Sequence, residues 1–97
     1  MTKKRKLHEL KGTILYAFLG KSKSKQWKNQ PFYALEVATE TFLGEKRPAT
    51  IYVFPNLVKP AVWKELAAES YEGKKYLFFS EKRLRGWRLR EWRELSD

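Results

Sequence analysis

Cations and large aromatic rings interleave in two stretches of this chain, and binding a polyanion is the chemistry they offer. Lys21, Lys23, Lys25 and Lys28 surround Trp27 in the segment GKSKSKQWKNQP (20–31), and Lys82, Arg83 and Arg85 crowd EKRLRG (81–86), with Arg88 and Arg90 following. Ammonium and guanidinium groups track phosphates, while flat rings stack bases, each stacked base contributing roughly 1–3 kcal/mol by alanine substitution. Trp27 has no apolar stretch beside it to join. Its ring either serves as a stacking platform or folds back to cap the core.

Catalytic sets cannot be assembled. The one histidine, His8, lies beside the basic N-terminal tail, the one aspartate is Asp97 at the extreme C-terminus, and cysteine is absent. Ser/His/acid and Cys/His nucleophiles are therefore excluded, as are Cys/His zinc sites and disulfides. The ten glutamates are scattered, without the carboxylate cluster that holds a divalent metal in nucleases and polymerases, and the five glycines are isolated, so no phosphate-cradling loop is present. The chain reads as a non-enzyme that requires neither cofactor nor metal.

Charge agrees with a polyanionic partner. The chain has 97 residues, and 21 Lys and Arg against 11 acids leave it at +10. Residues 1–30 hold nine cations and one acid, residues 31–70 four and five, and residues 71–97 eight and five. A near-neutral centre with basic ends and loops suits a scaffold with an electrostatic rim, although solvated lysines produce the same distribution. The run Lys3-Lys4-Arg5-Lys6 is a basic arm too short to assign. The longest apolar stretches, such as Ile14 to Leu19, fall far short of the roughly 20 residues of a membrane span, so the expectation is a soluble intracellular protein, cytoplasmic or in the nucleoid, with no membrane partner.

These residues need a scaffold, and β-branched and aromatic runs supply one. Leu10 to Leu19 reads as a strand with Leu10, Gly12, Ile14, Tyr16 and Phe18 on one side, and Gly12 marks a bulge or bend of the kind that coils a long first strand around two sheets. Phe32 to Thr39 is a second strand with Tyr33, Leu35 and Val37 inward; Ala49 to Phe54 is a third, ending at Pro55. If Ile51 and Val53 point inward, Tyr52 faces outward and Phe54 sits at the edge of that face; the opposite register makes both rings core. Lys59 to Ser70 changes to helical spacing, with Pro60 in the first turn and Val62, Trp63, Leu66 and Ala67 on one face, where Trp63 belongs to the core. Lys74 to Ser80 is a fourth strand, residues 81–86 a turn, and Trp87 to Leu95 a fifth strand. Trp87 and Trp92, five positions apart, fall on opposite faces of a regular strand, one buried and one exposed.

One helix between the third and fourth of five strands is the connectivity of the OB-fold, a partly open Greek-key barrel; an SH3-like barrel competes but normally lacks that helix. The expected organisation is a basic arm over 1–9 and one all-β domain, a five-stranded OB-fold barrel with a single helix (β-β-β-α-β-β), over 10–97. The succession LKGTILYAFL, FYALEV, ATIYVFPNLVKPAVWKEL and a closing WRLREWREL resembles OB-fold single-stranded-DNA-binding and anticodon-binding modules, in particular compact binders related to bacterial replication-restart and single-strand-binding proteins. In OB-folds the ligand crosses strands two and three between the first and last loops. The implied nucleic-acid-binding residues are Lys21, Lys23, Lys25, Trp27, Lys28, Tyr52, Phe54, Lys82, Arg83, Arg85 and Arg88. Glu36, on the same face in this register, opposes phosphate unless a cation neutralises it. The implied function is largely sequence-independent binding of single-stranded nucleic acid, DNA ahead of RNA, in replication, repair or recombination. An RNA-binding module is the alternative, or a protein-interaction module whose exposed rings bind a partner or a second copy.

Overall fold

A computed structural model describes residues 7–21, 30–41 and 43–95. Five strands and one helix follow in the order β1 (His8–Lys21), β2 (Pro31–Glu40), β3 (Lys46–Val53), α1 (Pro60–Ala67), β4 (Lys75–Arg83) and β5 (Gly86–Leu95). The strands close into a barrel in the order β1-β2-β3-β5-β4. Its seam is the one parallel pair, β3 with β5, joined at Ile51 to Trp87 and at Tyr52 to Arg88. This order, with the helix between β3 and β4, is the OB-fold barrel.

Barrel closure depends on β1 serving both sheets. Its first half pairs with β4 from His8 to Thr13, its second half pairs with β2 from Gly12 to Lys21, and Gly12 and Thr13 are paired on both sides. At that crossing a Cβ on Gly12 would overlap the Ala38 carbonyl, so the residue is glycine because two backbones approach there. The strand bulges three residues further on, between Ile14 and Tyr16.

The interior is filled from β2, β3 and β4 by alternation. Leu35 and Val37 are buried as their spacing predicts, Ile51 and Val53 are buried as well, which fixes the register left open for β3, and Tyr76, Phe78, Leu89 and Ile14 complete the layer. Helix α1 closes one end with Val62 and Leu66 buried. Trp63 packs on this core, its ring edge-on to Tyr33 at 4.7 Å. Ala67, expected on the same face, is exposed. It lies about 100° round the helix from Leu66, where the long Trp63 side chain can reach back to the barrel and a methyl cannot. A polar clamp holds the helix: the Tyr76 hydroxyl donates to Glu65 Oε1 at 2.5 Å, Lys74 Nζ donates to the same oxygen at 3.2 Å, and Lys74 also pairs with Glu94 at 3.2 Å. Burial, then the Glu65 carboxylate, pushes the Tyr76 hydroxyl well above the ordinary tyrosine range.

Two bulges overturn expectations built on strict alternation. In β1 Ile14 pairs with Val37 and Tyr16 with Glu36, so Leu15 is the extra residue. Beyond it the inward parity switches to Ala17, while Tyr16 and Phe18, expected on the side of Ile14, turn outward and are 49% and 56% exposed. In β5 Glu91 pairs with Phe79 and Leu89 with Ser80, leaving Arg90 as the extra residue. Trp87 and Trp92 therefore do not lie on opposite faces. Both are half-buried against the core, and Trp92 stacks on Tyr76 at 4.4 Å.

Element ends shift as well. His8 and Glu9, assigned to the arm, already pair with β4. The turn expected over 81–86 shrinks to Leu84-Arg85, because β4 runs through Arg83 and Gly86 opens β5. Gly86 has φ +122°, and a Cβ there would stand 2.7 Å from the Thr50 carbonyl oxygen, so only glycine lets β5 swing against β3.

Candidate nucleic-acid interface

Because Leu35, Val37, Ile51 and Val53 fill the barrel, their neighbours in β2 and β3 form its outer face, and the Leu15 bulge adds the second half of β1 to that face. Its side chains fall in three rows across the strands. One row is Tyr16, Glu36 and Thr50; the next is Phe18, Ala34, Tyr52 and Arg88; the third is Gly20 and Phe32, with Phe54 following the end of β3. Tyr16 and Phe18 meet edge-on at 4.6 Å. Phe32 stands 6.1 Å from Tyr52 and 5.8 Å from Phe54, ring centre to ring centre. Gly20 lets the Phe32 ring lie across β1: a Cβ there would be 3.0 Å from the ring's Cζ. Ala34, with only a methyl, lies between the exposed Phe18 and the half-buried Tyr52.

At the loop end this face runs into an open groove of about 420 Å³, lined by Tyr52, Phe54 and Trp87 with Arg83, Leu84, Arg85 and Arg88. No acid lines it. The Arg88 guanidinium lies over the Phe54 ring at 5.7 Å, a cation–π contact that directs a positive charge along the aromatic wall. Arg83 and Arg85 are exposed at the β4–β5 hairpin, which the two-residue tip and the positive φ of Gly86 turn toward β3.

Five of the residues singled out in the sequence, Tyr52, Phe54, Arg83, Arg85 and Arg88, therefore surround one groove. Lys82 stands apart from its lining: its Nζ lies 4.7 Å above Trp87, whose ring also meets the His8 ring edge-on at 5.2 Å. Lys21 ends β1, opposite Pro31 and beside the Gly20–Phe32 pair, and is exposed. Lys23, Lys25, Trp27 and Lys28 lie outside the described residues, as does the run Lys3-Lys4-Arg5-Lys6. Both segments that flank 22–29 end beside the groove wall, since Phe32 contacts Phe54.

Sequence reasoning missed Tyr16, Phe18 and Phe32. Phe32 was available from alternation, since it shares parity with outward Ala34 and opposes inward Tyr33, Leu35 and Val37. Tyr16 and Phe18 were not, because one unpaired leucine decides their side. Glu36 is on this face, and its Oε1 accepts a hydrogen bond from the Thr50 hydroxyl at 3.1 Å. No described Lys or Arg forms an ion pair with it.

Among the described residues no three His, Asp or Glu side chains gather into a metal-holding cluster, and no helix is long and apolar enough to cross a membrane. Comparison with protein-family models, with curated proteins and with solved structures finds no match.

Proposed function

We propose that this chain is a non-catalytic binder of single-stranded nucleic acid, DNA ahead of RNA, that holds its ligand by base stacking and backbone electrostatics and acts in replication, repair or recombination. The observation that carries the reading is the continuity of ring and charge: Tyr16, Phe18, Phe32, Tyr52 and Phe54 on one outer face, leading into a groove whose charged lining is Arg83, Arg85 and Arg88. Such a face suits unpaired bases. In a duplex the base faces are stacked on one another and are not available to protein rings, whereas a single strand offers each base face and its phosphates together. The net charge of +10 adds a long-range attraction that salt weakens.

A titration of intrinsic tryptophan fluorescence with single-stranded DNA, single-stranded RNA and duplex tests this, because Trp87 lines the groove. The expected result is a change on adding single strands, with affinity falling steeply from low to moderate salt and duplex binding weaker. Absence of binding to every oligonucleotide would refute it. A protein-interaction module is the second reading, favoured by Leu15 and Leu19, which are 60% and 63% exposed on β1 and offer no polar contact to a phosphate.

A further inference from the structure

Glu36 occupies a place on the outer face that a phosphate-tracking surface would avoid. Its neighbours Leu35 and Val37 are buried, so its carboxylate points out between Tyr16 on β1 and Thr50 on β3. The Thr50 hydroxyl spends its proton on Oε1, which fixes the carboxylate's orientation and leaves Oε2 and the remaining lone pairs free to accept. A phosphate brought to this point would meet like charge; Lys21, Arg83 and Arg85 lie beyond the Phe18–Tyr52 row and Arg88 ends it, whereas on the Glu36 side Lys11, Lys46 and Lys75 gather around Glu40 and Arg47 pairs with Glu45. A strand crossing that row therefore runs with phosphates toward the loop end and base edges toward the Tyr16–Glu36–Thr50 row. Rows two residues apart along a strand are separated by about 7 Å, the reach of a base stacked on Phe18 or Tyr52.

Resting on the reading of the chain as a single-strand binder, we infer that Glu36 is a base-reading residue that selects, at one position of the ligand, a base presenting amino and imino donors side by side. In an unpaired strand the Watson–Crick edge is open. Guanine offers N1–H and the N2 amino group to the two carboxylate oxygens together. Cytosine and adenine offer one amino group beside a ring-nitrogen acceptor that faces the carboxylate unfavourably, and thymine and uracil offer one imino hydrogen between two carbonyl oxygens. The face is thus tolerant along most of its length and selective at Glu36.

The test compares a short oligothymidylate with the same strand carrying one central guanine or one central hypoxanthine, which keeps N1–H and lacks the amino group, by fluorescence anisotropy. The native chain should bind the guanine strand on the order of tenfold more tightly than the thymine strand, with hypoxanthine between them. Glu36→Gln retains an oxygen to accept from Thr50, so the barrel is kept. It should lose most of the guanine preference and bind oligothymidylate as well as or better than the native chain. Glu36→Ala, with an unchanged melting temperature as its control, should level the three strands likewise. Equal binding of all three strands by the native chain, or an undiminished guanine preference in both variants, would overturn the role of Glu36 while leaving single-strand binding intact. No binding to any strand would end both.

Discussion

Phe18→Ala separates the observed face from the one that uninterrupted alternation implies. Were Phe18 on the side of Ile14, its ring would be core, and truncation would cost about 3–5 kcal/mol. The Leu15 bulge instead leaves it 56% exposed, with one edge-on contact to Tyr16 at 4.6 Å. An exposed aromatic pair contributes about 0.5–1.5 kcal/mol beyond its buried area, and the part of the ring that is buried, a little under half, adds about 1 kcal/mol, so the stability loss should stay below about 3 kcal/mol. Binding should respond more: removal of one stacking ring costs roughly 1–3 kcal/mol, about 5- to 150-fold in Kd. The slope of affinity against salt should not change, since the ring touches no phosphate. Urea denaturation followed by tryptophan fluorescence gives the first quantity, and anisotropy titrations with a labelled single strand at several salt concentrations give the other two. A variant destabilised by several kcal/mol, or one that is stable and binds as tightly as the native chain, would refute the placement of Phe18 in the interface.

Charge and pH supply two further tests. Replacing both Arg83 and Arg85 by Ala should flatten the log–log salt dependence of single-strand binding by about 0.7 for each phosphate that is no longer neutralised, with stability little altered because both side chains are exposed; an unchanged slope would remove the β4–β5 hairpin from the site. The helix clamp should fail in alkali. Burial and Glu65 raise the Tyr76 hydroxyl above its unfolded value of about 10, and hydrogen bonds first to Glu94 and then to Glu65 raise Lys74 in the same direction. Both groups hold their protons more tightly when folded, so their contribution is complete below about pH 10 and is lost as pH rises beyond it, Tyr76 alone giving a slope of up to about 1.4 kcal/mol per pH unit. Urea midpoints should fall as pH rises from about 10 to 12 in the native chain and fall less steeply in Tyr76→Phe. Equal slopes for the two proteins would show that the clamp does not carry the alkaline transition.

Residue types and their local periods were enough to settle the elements and their order. Leu35 and Val37 alternate with the smaller or polar Ala34, Glu36 and Ala38, Ile51 and Val53 lie in a β-branched and aromatic run, Pro60 opens a helical period, and glycine and proline punctuate the ends; a barrel with one inserted helix follows from these, because strand and helix have different side-chain periods that survive in any window of a few residues. The inward register of β2 was legible for the same reason, and with it the outward Glu36 and Phe32, whereas that of β3, where Tyr52 and Phe54 are as apolar as Ile51 and Val53, was decided only by the barrel. The closed barrel alone also decided where the period breaks. Leu15 and Arg90 are ordinary strand residues, and nothing in their types marks them as unpaired; they become bulges because a strand that must bend around two sheets accumulates an extra residue where its partners' registers no longer agree. Those two residues reverse the side of Tyr16 and Phe18 and bring Trp87 and Trp92 to the same face. The outer aromatic face read from alternation alone therefore begins at β2, whereas the folded chain extends it onto β1.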